Sequence, residues 1–298
     1  METSIFNDIT SMDRRKSTLH ASIIAGGHLT AFCLTVLLAE AAMSMSMLLG
    51  ISTLLLVIVF IGTRFRAVNN MSHECVHGTY AKRRPVNEFF GHIFAIVELS
   101  SFLTVRREHF THHRHLGTFE RDMDFRHLER FGFDAPMSAG AWRHHMKNAL
   151  LFKHLGAYFF LVMFDRTEPP WARIARTIYL SSLIACFFVW PVGVTLYVIL
   201  PFMTSYQIHK YLTDFLDHGG LLSNQDALHK TRNFIVQTSL LRCCFFPRTD
   251  CYHLVHHLFP SLSTECLSDA HRRLMDDPAY AHVPHLANEQ IAQWLRTP

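Results

Sequence analysis

Polar and apolar positions are distributed very unevenly along this chain. Residues 17–63 contain no Lys or Arg and a single acid, Glu40, and residues 177–209 contain no Asp, Glu, Lys or Arg. A helix of about 20 apolar residues crosses a bilayer, so the first window predicts two spans, near 19–39 and 43–63, with a tight turn near Glu40–Met43. The second window holds two spans only if the helices run past its ends, with Arg173, Arg176 and Lys210 snorkelling and a turn at Trp190/Pro191/Gly193. One long tilted span is the alternative there. Two shorter apolar stretches, Phe89 to Leu103 and Leu155 to Phe164, are too short or interrupted to cross, and would lie along the interface or form buried helices of a polar cap.

The pattern predicts an all-α, polytopic membrane protein with about four transmembrane helices in two hairpins, read as one domain over 1–298. Its segments are 1–16, the hairpin 19–63, the polar 66–171, the hairpin 172–216 and the polar 217–298. Both turns lack Lys and Arg, whereas Arg14, Arg15, Lys16 and the later basic clusters fall on the opposite face, which the positive-inside rule assigns to the cytoplasm. Both termini and all the polar mass would then share that compartment. The apolar run after Lys16 is too long for a signal-peptide core and reads as a retained first span. The net charge of +4 is mild and requires no nucleic-acid partner. Seven cysteines without a CxxC pair predict reduced thiols rather than a disulfide framework or zinc ribbon.

Histidine supplies the candidate chemistry. His73 and His77 form HxxxH, while His109/His112/His113 and His253/His256/His257 form two HxxHH triplets on the same predicted side. With 22 histidines in 298 residues, chance produces roughly one or two HxxxH pairs but only about 0.1 HxxHH triplets. On a helix, positions i, i+3 and i+4 stand on one face. Many nitrogen ligands suit Fe or Zn rather than Mg or Ca, and two clustered metals would employ them all. Glu74, Glu108 and Asp250 beside the boxes, with Asp122 and Asp124 just after the second, are candidate metal ligands or acceptors for ligand N–H groups, or simply solvated acids. HECVH also satisfies HExxH, in which His73 and His77 bind zinc and Glu74 acts as base of a membrane protease. That reading leaves most of the triplets idle. A metal transporter would place ligands mid-span, where the first window has only His20 and His28, both near its start.

HECVH at 73–77, HFTHH at 109–113 and YHLVHHLFPSL at 252–262 resemble, in order and spacing, the three boxes of the membrane fatty acid desaturase and hydroxylase superfamily, over roughly residues 17–265. The resemblance implies a non-haem di-iron centre, held under a four-helix membrane domain by a helical cytoplasmic cap. It implies O₂ as co-substrate and removal of hydrogen from an unactivated C–H bond. Desaturation of a fatty acyl or lipid-like substrate is the leading outcome. Hydroxylation, or desaturation of a sphingoid or amino-acid-derived amphiphile, is the alternative. It further implies a ninth ligand at His218 and, one turn earlier, an Asn whose place Asp214 takes as a direct ligand or neighbour of the metal. Val255 stands where many relatives carry Glu. In HFTHHRHLG, His112 and His115 offer a rival register to His109/His112/His113, which is preferred because it repeats the third box. No HPGG and no CxxC pair is present, so a separate ferredoxin or cytochrome b5 type donor is expected. Basic residues near 82–84, 106–107 or 242–248 would steer it.

Overall fold

The computed structural model describes residues 3–12, 14–158, 165–224 and 226–297. Helix α1 spans Thr3–Thr10 and the first long hairpin pairs α2 (Thr18–Met45) with α3 (Met47–His77). Ser17 caps α2, its Oγ accepting from the His20 amide at 3.2 Å. The hairpin turns at Ser46, which is extended (φ −161°), and not at Glu40–Met43 as expected. Glu40 stays helical because its carboxylate accepts a 2.7 Å hydrogen bond from Tyr197, which removes the reason for an acid to seek the turn. At about 1.5 Å per residue, α3 is far longer than the roughly 30 Å hydrocarbon core. Its last turns leave the apolar zone and carry His73 and His77 until Gly78, at φ 70°, ends the helix.

After α3 the chain folds back as α4 (Arg84–Val97) and α5 (Phe102–His115), bent by 99°. Val97 and Leu99 at the bend pack with Ile61, Phe65 and Tyr206, so the tip of this pair enters the helix bundle. Of the stretch Leu155 to Phe164, residues 155–158 form one helical turn and 159–164 lie outside the described residues. Helices α6 (Ala139–Leu150) and α7 (Leu155–Tyr158) lead to the second hairpin, α8 (Pro170–Val189) and α9 (Pro191–His218). Two helices, broken at Trp190, therefore occupy the second charge-free window, each running past it. Arg176 does not snorkel: it is buried, 2.6 Å from Glu168 and donating to the Ser100 carbonyl. Inside α9, π-type turns at Thr195–Ile199 and Phe202–Tyr206 flank Pro201, whose missing N–H and bulky ring break the ordinary ladder.

The four long helices are apolar enough to cross a membrane and expose Leu37, Leu38, Leu48, Leu55, Leu56, Phe188 and Val189, a surface that lipid would cover. Close approach of α3 to α9 depends on Gly62, where a Cβ would lie 2.0 Å from Ser205 Oγ and 2.9 Å from the Tyr206 nitrogen. Beyond α9 and the short α10 (Ser239–Phe245), α11 (His253–Leu258), α12 (Leu267–Leu274), α13 (Pro278–Ala281) and α14 (Ala287–Arg296) gather with α1 around Leu254, Val255, Cys266, Ala270 and Leu274. This cap presses α11 onto the ends of α3, α5 and α9. No strand occurs among the described residues.

Candidate di-metal site

Nine histidines converge where these helix ends meet, in two groups. His73, His77, His109, His113 and His256 form the first, and His112, His218, His253 and His257 the second, with one ring nitrogen from each within 4.8 Å of the others in its group. Helical geometry explains the HxxHH spacing more sharply than one shared face does. In α5 the i and i+4 residues, His109 and His113, serve the first group while His112 at i+3 turns to the second. In α11 the assignment reverses: His253 and His257 enter the second group and His256 the first. His115 joins neither group, whereas His109, His112 and His113 all do.

The distances within the cluster are too short and too many for hydrogen bonding alone. His109 Nε2 lies 2.8 Å from His73 Nε2 and 2.9 Å from the Nε2 atoms of both His77 and His113. One ring nitrogen carries either one proton or one lone pair, so hydrogen bonding satisfies at most one such contact. A cation satisfies all three, because nitrogens bound at about 2.1 Å at right angles stand about 3 Å apart. His256–His113 (3.1 Å), His218–His253 (2.9 Å) and His257–His253 (3.0 Å) follow the same spacing. Burial, reinforced by neighbouring histidines, pushes the pKa values of His109, His253, His256 and His257 well below the usual imidazole range and His113 to about 3, which keeps their lone pairs available.

Acceptors on the far side of the rings fix their orientation. Asp122 Oδ2 accepts from His112 Nδ1 at 2.9 Å and Asp124 Oδ2 lies 3.2 Å from His109 Nδ1. The Lys230 carbonyl faces His218 Nδ1 at 3.3 Å, and Asp217 Oδ2 lies 3.5 Å from His253 Nδ1. An acceptor at Nδ1 places the proton there and aims the Nε2 lone pair inward. For His112, burial lowers the pKa but the hydrogen bond and charge of Asp122 outweigh it and raise it. Asp122 Oδ1 also accepts from the Phe125 amide at 3.0 Å. An Asn at 122 serves only one of these two N–H donors, so Asp122→Asn is expected to weaken metal held by the second group by about 10–100-fold, read from metal retention against a chelator.

The fatty acid desaturase model matches residues 50–288, which carry all nine histidines. The chain belongs to the fatty acid desaturase family. It is 25% identical over 76% of its length to the dihydrorhizobitoxine desaturase of Bradyrhizobium elkanii, of which it covers 69%. Shorter matches, 36% identical, join it to an sn-1 oleoyl-lipid 12-desaturase of Anabaena variabilis (22% of this chain, 18% of that one) and to an endoplasmic-reticulum omega-3 fatty acid desaturase of Vigna radiata (20% and 16%). The chain thus spans less than a fifth of the latter two relatives. Members of this family use a di-iron site, and the chain is a membrane oxidoreductase of desaturase type.

Several acids beside the boxes of this desaturase have other work. Glu74 joins neither histidine group: Arg248 binds it through Nε (2.7 Å) and Nη2 (2.9 Å), with Lys16 at 3.3 Å and Thr264 at 3.0 Å. The HExxH protease reading therefore loses its base. Asp250 pairs with Arg66 at 2.6 Å. Glu108 is half-buried near Asp124, and burial together with that charge raises its pKa. Asp214 joins neither histidine group and instead lines a cavity beside them with Lys210. Val255 is fully buried in the apolar cap, where a carboxylate would be stripped of water, and its amide donates to Asn233 at 3.3 Å. Arg248, expected in a surface basic cluster, is turned inward. Sequence reasoning passed over Asp217; its signal was adjacency to His218 in the run DFLDH, where Asp214 drew the attention.

Proposed function

We propose that the two histidine groups hold two iron ions and that the chain inserts a C=C bond into an aliphatic substrate. The three-way contact at His109 Nε2 is the observation that carries this reading. Bound iron supplies O₂-dependent removal of hydrogen, and the balance is R–CH₂–CH₂–R′ + O₂ + 2 e⁻ + 2 H⁺ → R–CH=CH–R′ + 2 H₂O. The protein's share is to hold nine imidazoles in place, to lock their tautomers through Asp122, Asp124, Asp217 and the Lys230 carbonyl, and to bury the site. A nitrogen-only first sphere with no carboxylate suits the softer transition metals.

The active site and both termini face the cytoplasm in this reading, as the placement of Arg14, Arg15 and Lys16 against charge-free hairpin turns supports. The electrons come from a separate acidic donor of ferredoxin or cytochrome b5 type. A cleft of about 420 Å³ favours one docking point: it is lined by Arg15, Lys82, Arg84 and Arg106 and reaches His77 of the first group. Glu88 offsets part of that charge through Arg106 at 2.9 Å, leaving the cleft basic.

The test is metal analysis of the purified chain together with product analysis. About two irons per chain, and a donor- and O₂-dependent product about 2 Da lighter than its substrate, are expected. A chain holding about one zinc and no iron overturns the proposal.

A further inference from the structure

The cap holds a separate pocket of about 240 Å³ between α14 and the chain that leaves α9, and none of its lining residues belongs to either histidine group. Arg232 lines it, although only 4% of this residue is exposed. Its Nη2 donates to the Gly219 carbonyl, and its guanidinium lies 5.0 Å from the centre of the Trp294 ring, another lining residue. Nη1 is buried without an acceptor, and no carboxylate pairs with Arg232 among the described residues. Burial lowers the pKa of this guanidinium to about 10 against the charge of Asp217, so the cation is only partly compensated by the protein's own groups. A water beside Arg232 would leave that charge unbalanced, whereas an anion in the pocket both accepts its hydrogen bond and balances it.

Leu221, Val283 and Pro284 line the same pocket, and no Lys or second Arg stands among its described lining residues. One cation beside an apolar wall suits a monoanion with a hydrocarbon part better than a phosphate, which carries up to two charges and no such part. We infer that this pocket binds a small organic carboxylate, its charge on Arg232 and its hydrocarbon against Leu221, Val283 and Pro284. The pocket shares a wall with the second histidine group. The Arg232 amide and Thr231 Oγ1 both donate to the Asp217 carbonyl, at 3.0 and 3.1 Å, and the Lys230 carbonyl faces His218 Nδ1. A carboxylate seated on Arg232 therefore steadies the segment that orients His218, which makes the pocket an effector site for the metal groups whatever metal they hold.

The test is calorimetric titration of the metal-loaded protein in detergent micelles with benzoate, benzamide and inorganic phosphate. Benzoate serves as the probe because it has no aliphatic C–H bond to desaturate. It is expected to bind at least about tenfold more tightly than benzamide, the usual margin for a hydrogen bond to a charged group. Arg232→Met should erase that preference. Because this residue is buried, a second variant leaves it in place: Gln293→Glu, at the exposed rim of the pocket, should weaken benzoate by charge repulsion and leave benzamide unchanged, with unfolding midpoint and metal content confirming that each variant is folded. With benzoate bound, loss of metal to a chelator should slow by about threefold or more in the unsubstituted protein and not in Arg232→Met. Benzoate binding unmoved by either substitution would belong to the metal groups and overturns the inference. Equal binding of benzoate and benzamide overturns it as well, as does tighter binding of phosphate, and a rate of metal loss indifferent to bound benzoate overturns the link to the second group.

Discussion

Substituting His257 by alanine should lower bound iron from about two to about one per chain, whereas the same change at His256 should leave close to two, with product lost in both. The asymmetry follows from the uneven partition of ring nitrogens. The second group has four, so losing His257 leaves His112, His218 and His253. The first has five, so losing His256 leaves His73, His77, His109 and His113. Three neutral nitrogens in a buried site hold a divalent ion weakly, while four still nearly surround it. Product formation fails in both variants because the family chemistry needs both metals in their proper coordination. Iron and zinc measured by mass spectrometry on the same preparations, with product analysis alongside, provide the check. Equal iron loss at both positions would mean that the groups do not bind independently, and unchanged iron at His257 would remove that residue from the ligand set.

Much of this architecture is written directly in the chain because membrane solvation acts residue by residue. A window of 47 residues from Ser17 to Thr63 whose single charged residue is Glu40 leaves few alternatives to a helical hairpin. The boxes are equally legible, since i, i+3, i+4 spacing is a property of the helix alone. The group that each histidine joins is not. That depends on how α5 and α11 face each other, and their exchange of roles at His112 and His256 exists only once the cap folds. The same holds for the acids. Glu74 lies next to His73 in sequence but on another side of α3, where the distant residues Lys16, Arg248 and Thr264 reach it. Asp217 and Asp214 differ by nearly a full helical turn, and only the packing of α9 against α11 brings Asp217 to His253. The apolar window alone predicts a snorkelling Arg176, because Glu168, its partner, lies outside that window.

Replacing Arg248 with methionine should destabilise the fold by about 3–5 kcal/mol, the usual cost of leaving one member of a buried ion network without its partner. Arg248 donates to Glu74 through two nitrogens, to Thr264, and to Glu265 at 2.9 Å. Lys16 completes the network, 2.7 Å from Glu265. Burial works against the charge on Arg248, but Glu74 and Glu265 outweigh it and raise its pKa. Without the guanidinium, the two carboxylates share one ammonium in a place where Glu74 is 2% exposed. The backbone adds to the effect. Arg248 and Thr249 both adopt left-handed conformations, φ 65° and 60°, which non-glycine residues hold only when side-chain contacts impose them. Released, this segment would carry Asp250 away from Arg66 and disturb the start of α11, where His253 stands. The substitution should therefore lower the unfolding midpoint and loosen metal in the second group before the first. Combining Glu74→Gln with Arg248→Met removes the unpaired buried charge and should recover a large part of the stability but little of the metal retention, because the left-handed segment still lacks its anchor. If the double variant is no more stable than Arg248→Met alone, the charge network is not what holds this segment against the metal groups.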